Sequence, residues 1–134
     1  MALLDVPVET QGQSIRIMSL HKSKGLTARL VVIAGCVSGI LPSIDTSASP
    51  QEQSRQRQEQ RRLFYVGLTR STETLVTSSA VRIPRGKAMQ MGILAPPAHR
   101  YGMMTLPAGP FLSELGPSAP ASIRGDVWRT SLGF

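Results

Sequence analysis

Glu59-Gln60-Arg61-Arg62-Leu63-Phe64-Tyr65-Val66-Gly67-Leu68-Thr69-Arg70 is the stretch on which the reading of this fold turns. Leu63, Phe64, Val66 and Leu68 ask for burial, two arginines precede them and a third closes the run. A helix sets Leu63, Val66 and Arg70 at spacings of three and four, roughly on one side. Such a helix delivers a guanidinium at its C-terminal end, where the helix dipole favours a cation. Taken alone, the plainest reading is an amphipathic helix with a charged, solvated end.

Working outward towards the N-terminus, Ser14–Leu20 alternates Ile15 and Ile17 against Arg16 and Met18, which suits a strand. His21–Thr27 carries Lys22, Lys24 and Gly25 and reads as a turn or short helical start at that strand's end, where α/β folds place ligands. Leu30–Val37 is a continuous apolar run, the pattern of a central parallel strand covered on both faces. Strand, short connection and second strand are the parts of an α/β layer fold. Residues 39–51, with Pro42, Ser43, Ser47, Ser49 and Pro50, read as a loop that passes into a polar helix start near Glu52. That helix is expected to continue through Arg70, with another short strand over Thr74–Ala80. Beyond Val81, repeated prolines and glycines break any long element. Phe111–Leu115 suits one short helix, and Trp128 is expected to pack back on the body.

The chain has 134 residues, enough for one domain with a modest core. Fifteen Lys and Arg against eight Asp and Glu give a net charge of +7, a balance that suits an anionic partner as well as simple solubility. The one cysteine, Cys36, excludes an internal disulfide and, lying in an apolar run, reads as an inert buried thiol. Two histidines and that cysteine, widely spaced, make no metal site. No apolar run approaches the length needed to span a bilayer. The N-terminus lacks the basic and apolar regions of a signal peptide. The chain is read as soluble and cytoplasmic.

Two segments together resemble the last two motifs of superfamily 1 DNA helicases of the UvrD/Rep type. Ser19, His21, Lys24, Gly25 and Leu26 follow that family's Thr-x-His-x-x-Lys-Gly-Leu-Glu pattern. Glu59, Arg61, Arg62, Leu63, Tyr65, Val66, Thr69 and Arg70 follow its Glu-Glu-x-Arg-Arg-Leu-x-Tyr-Val-x-x-Thr-Arg-Ala pattern. The resemblance is close over residues 14–80 and weak over 81–115, where Phe111-Leu112-Ser113-Glu114-Leu115 looks like the family's Phe-Leu-x-x-Leu helix.

The resemblance implies an α/β fold: a partial RecA-like (P-loop NTPase-type) parallel sheet with flanking helices, from the second of two such domains that clamp ATP. Residues 1–13 would be a lead-in, 14–80 the domain portion with its loop at 39–51, and 81–134 a Pro/Gly-rich C-terminal extension. Arg70 would carry over as the arginine finger, reaching the γ-phosphate. Charge develops on the equatorial oxygens in phosphoryl transfer, and a planar guanidinium meets it with paired donors, worth about 10³- to 10⁵-fold in rate. Nucleotide contact would also involve Lys24 and Gly25. Single-stranded DNA would be met by Ser19, His21, Lys22, Lys24, Arg61 and Arg62, the last two serving either DNA or an interdomain face. The implied partners are single-stranded DNA and an N-terminal ATP-binding helicase domain, and ATP with Mg²⁺ is expected only in the complete helicase.

The departures are specific. Thr27 stands where the family has the glutamate that contacts the nucleotide sugar, Gln60 replaces an acid, and Ser71 replaces alanine. No Gly-x-x-x-x-Gly-Lys-Ser/Thr phosphate loop and no Asp-Glu metal-binding pair after an apolar strand occurs, so this chain alone is expected not to hydrolyse ATP. The alternative is a non-catalytic module, derived from the same fold, that binds nucleic acid or a helicase.

Overall fold

The helix comes first in the folding logic. A computed structural model describes residues 14–91, 93 and 102–133. In it α1 runs Pro50–Leu68. Ser49 is the N-cap, its hydroxyl accepting from the Glu52 amide at 3.3 Å; Pro50 sits where no intrahelical amide is needed, and Glu52 places negative charge at the first turn. Phe64 and Gly67 are buried, and Leu63, Val66 and Leu68 are half-buried. The apolar contact of α1 therefore lies in its last two turns.

The polar remainder of α1 is held by hydrogen bonds. Gln53, Gln56 and Gln60 recur at helical spacing and meet the backbone of the preceding loop. The Gln53 amide nitrogen donates to the Ala48 carbonyl at 2.8 Å, and the Gln56 oxygen accepts from the Asp45 amide at 3.0 Å. Gln60 accepts from the Ser43 amide at 2.8 Å and donates to the Ser43 carbonyl.

Strands β1 (Ala28–Ile33) and β2 (Ser71–Thr77) pair in parallel, with α1 as the crossover between them. Val31 lies opposite Leu75 and Ile33 opposite Thr77. Ile33, Cys36, Phe64 and Phe111 form one buried cluster, with Leu20, Val31, Leu41, Leu68 and Leu112 around it. A second cluster joins Val37, Ala88, Ile93, Met104 and Leu106. It is built on the antiparallel pair β2-following β3 (Arg82–Pro84) and β4 (Met103–Thr105), with α2 (Arg85–Gln90) alongside. Neighbouring residues Cys36 and Val37 enter different clusters, so the loop after β1 is the seam between the two. Helices α3 (Pro110–Ser113) and α4 (Gly125–Ser131) follow. The fold is mixed α/β with a small parallel sheet and helices.

Three expectations change. Ser14–Ser19 carries no regular structure, Leu20–Gly25 is a turn, and Ile15 and Ile17 are 84% and 85% exposed. Alternation makes a segment fit to be a strand, but a ladder needs a neighbour, and none lies beside it among the described residues. The apolar run at Leu30–Val37 is not one twice-covered strand. β1 ends at Ile33, and Leu30 and Val32 are more than half exposed. Cys36 and Val37 are apolar because the loop, rather than the strand, enters the core. Trp128 does not pack back: it is 44% exposed on α4, of which no residue is buried. The helix formed but stops at Leu68, short of the expected Arg70, and the strand expected over Thr74–Ala80 lies at Ser71–Thr77; Phe111 sits in a short helix that begins at Pro110 and closes at Ser113.

Candidate nucleic-acid and phosphate site

The turn Leu20–Gly25 is closed by its own backbone. The Ser23 amide donates to the Ser19 carbonyl at 3.2 Å and the Leu26 amide to the Ser23 carbonyl at 3.1 Å. The Ser19 hydroxyl accepts from the Lys22 amide at 3.4 Å, and the Ser23 hydroxyl donates to the Leu20 carbonyl at 2.7 Å. Ser19, His21, Lys22 and Lys24 are all exposed on this one turn. Gly25 ends it at φ +84°, a left-handed conformation that side-chain-bearing residues rarely adopt. Open space surrounds a Cβ placed there, so backbone conformation, not crowding, calls for glycine.

Arg70 lies just beyond α1. Its Nε donates to the Val66 carbonyl at 3.0 Å, one of the acceptors left open at a helix C-terminus. Its Nη1 donates to the Leu26 carbonyl at 3.4 Å and its Nη2 to the Thr69 hydroxyl at 3.1 Å. The Ala28 amide also donates to the Arg70 carbonyl at 3.0 Å. The two motifs, more than forty residues apart in sequence, therefore meet through Leu26, Ala28 and Arg70. A cation at the helix C-terminus is present as the dipole argument required, but it is carried by the turn after the helix and folded back on it. The place in the sheet also differs from expectation. The turn precedes β1 and Arg70 precedes β2, so both lie at the amino ends of the parallel strands, not at the carboxyl ends. For the turn, the strand expected before it did not form, so it leads into β1 without following a paired strand.

Arg61 and Arg62 part company. Arg62 is exposed. Arg61 is tied to Glu114, Nε to Oε2 at 2.7 Å and Nη2 to Oε1 at 2.9 Å, and its guanidinium carbon lies 5.7 Å from the centroid of the Phe111 ring. The Glu114 carboxylate raises the affinity of Arg61 for its proton still further. Sequence reasoning missed Glu114 because the pair spans 53 residues. It also missed the glutamine stripe, although three glutamines at helical spacing beside a Ser/Pro-rich loop were a usable sign. Cys36 is buried, and desolvation pushes its thiol pKa up against the smaller opposing effect of a backbone hydrogen bond from Ser78. No group of three or more His, Cys, Asp or Glu that could hold a metal ion occurs among the described residues.

Residues 4–82 match the family model of the UvrD-like helicase C-terminal domain. Over 73 residues the chain is 38% identical to the ATP-dependent DNA helicase UvrD1 of Mycobacterium leprae, covering 54% of this chain and 9% of that protein. It is 35% identical over 72 residues to the putative ATP-dependent DNA helicase YjcD of Bacillus subtilis, covering 52% of this chain and 9% of the relative. With the ATP-dependent DNA helicase Rep of Buchnera aphidicola it shares 38% identity over 76 residues, 56% of this chain and 11% of that protein. The chain thus spans about a tenth of the length of these relatives.

Proposed function

Because the chain belongs to the UvrD-like helicase C-terminal domain family, we propose that it works as the C-terminal module of an ATP-dependent DNA helicase and is catalytically incomplete alone. Arg70 is the arginine finger. Ser19, His21, Lys22, Lys24 and Arg62 form part of the track for single-stranded DNA, and Lys24 and Gly25 lie on the nucleotide side of the turn. The observation that carries this reading is the contact of the two motifs through Leu26 and Arg70, which ties a phosphate-seeking guanidinium to an exposed turn of cations. An upstream ATP-binding domain is the partner. ATP with Mg²⁺ supplies the phosphoryl group when that partner binds it, and this chain's part is to bring donors to the developing charge. To act, Arg70 gives up its bonds to Val66, Leu26 and Thr69 and turns outward, a change of side-chain rotamers that leaves α1 in place.

The test joins the purified chain to the upstream ATP-binding portion of a UvrD-type relative and measures DNA-stimulated hydrolysis. Arg70→Ala is expected to lower turnover by about 10³-fold or more with DNA affinity little changed. Hydrolysis by the isolated chain that is lost in Arg70→Ala overturns the reading. A second reading, a non-catalytic module that docks on nucleic acid or a helicase, is favoured by one observation: all three nitrogens of Arg70 are already engaged with the chain itself. It predicts that Arg70→Ala leaves turnover of the assembly unchanged while Lys22→Ala and Lys24→Ala weaken binding.

A further inference from the structure

We propose that Glu114 masks an anion-binding position at Arg61, so that the C-terminal segment competes with a nucleic-acid phosphate for that guanidinium. The proposal rests on the nucleic-acid reading above and adds to it an intrachain competitor. Arg61 and Glu114 meet as a fork, with two charge-assisted bonds of 2.7 and 2.9 Å. A guanidinium takes a phosphate with the same paired geometry. The carboxylate thus occupies the donors that a phosphate would use.

The pair is built to open. Its side chains are 48% and 42% exposed, and ion pairs facing solvent hold weakly. What anchors the segment is apolar: Phe111 is 2% exposed, its ring 5.7 Å from that of Phe64 on α1. Phe111 can stay seated while Glu114 swings away. Glu114 closes the four-residue α3, and beyond it the Leu115 amide donates to the Leu112 carbonyl at 3.3 Å, a single weak turn. On α1, Arg57 lies one turn before Arg61 and is exposed, so freeing Arg61 extends a row of cations on one helix face. Glu114 lies outside residues 4–82 that match the family model, so the masking group comes from a part of the chain that this match does not cover.

The experiment measures anisotropy of labelled single-stranded DNA across a salt series with wild type, Glu114→Gln, Arg61→Ala/Glu114→Gln and Glu59→Gln. Glu59→Gln makes the same change of net charge on α1 without freeing Arg61. Glu114→Gln is expected to tighten binding about two- to fivefold at low salt and to steepen the dependence of log K on log salt by about 0.7, one added phosphate contact. The double variant, which restores the wild-type net charge, returns to wild-type affinity. In wild type, adding DNA is expected to speed hydrogen exchange at the Leu115 amide, and an unchanged rate there counts against the mask. If Glu114→Gln behaves as Glu59→Gln does, Arg61 is a structural anchor and the mask is wrong, while the nucleic-acid reading stands. If no variant binds DNA at low salt, freeing Arg61 exposes no phosphate position in this chain and the mask is wrong; the nucleic-acid reading fails only if the chain joined to the upstream domain also leaves DNA unbound.

Discussion

At Arg70 three donors turn back on oxygens of the chain itself, two of them main-chain carbonyls. A residue placed this way stabilises the module before it meets any partner. Arg70→Ala is expected to lower stability by about 1 kcal/mol, as read by urea denaturation, because charge-assisted bonds at a half-exposed helix end contribute modestly. Arg70→Lys recovers little of it, since one ammonium cannot span the three acceptors. Gly109 makes a stronger case. A Cβ there would lie 2.6 Å from the Leu41 carbonyl oxygen and 3.2 Å from the Cys36 carbonyl, both main chain and unable to step aside. Its amide donates to the Cys36 carbonyl at 2.8 Å. Gly109→Ala therefore forces backbone apart, with an expected cost of about 1–3 kcal/mol seen as a drop in Tm.

At the scale of elements, α1 is two helices in one: a polar stem hydrogen-bonded to its own preceding loop, and an apolar end packed on the sheet. Gln60 shows why an amide suits the stem, since one side chain both accepts from and donates to the Ser43 backbone. Gln60→Glu loses the donor and sets a carboxylate against a carbonyl. It is expected to cost about 1 kcal/mol in chemical denaturation at neutral pH. This is one of the positions where the chain departs from the helicase pattern, and its reason is visible in the loop.

The start of α1 was legible to within two residues, near Glu52, from a local signal, the change of a Ser/Pro-rich loop into a polar run; the cap at Ser49 and the proline at the first helical position set it at Pro50. Arg70's cationic role at the helix end was legible for the same reason. The strand proposed at Ser14–Leu20 was not settled by its alternation, which says what a strand would bury and nothing of whether a neighbour exists. The apolar run to Val37 misled because burial in a loop leaves the same composition as burial in a strand. Arg61 could not be sorted from Arg62 by sequence, since what separates them is a carboxylate 53 residues away.

Across the whole molecule, the folded unit runs past the part that resembles helicases. Ala88, Ile93, Met104, Leu106 and Phe111 supply more than half of the buried apolar side chains that build the two clusters, and all lie beyond residue 82. A fragment of residues 1–82 is thus expected to lack a cooperative thermal transition by circular dichroism, while the full chain shows one. The loss follows from core area, since each such side chain removed from a buried site costs roughly 2–5 kcal/mol and a small domain has little to spare.

The glutamine stripe on α1 gives the experimenter a handle. Its bonds to the preceding loop join uncharged groups, so neither protons nor counterions have a charge to act upon across that seam. In molar salt, where the screening length shrinks to about 3 Å, the exposed Arg61–Glu114 fork loosens. The seam between α1 and its loop does not. A high-salt column step is therefore expected to leave the frame intact, so that a titration against a defined strand begins from a folded chain.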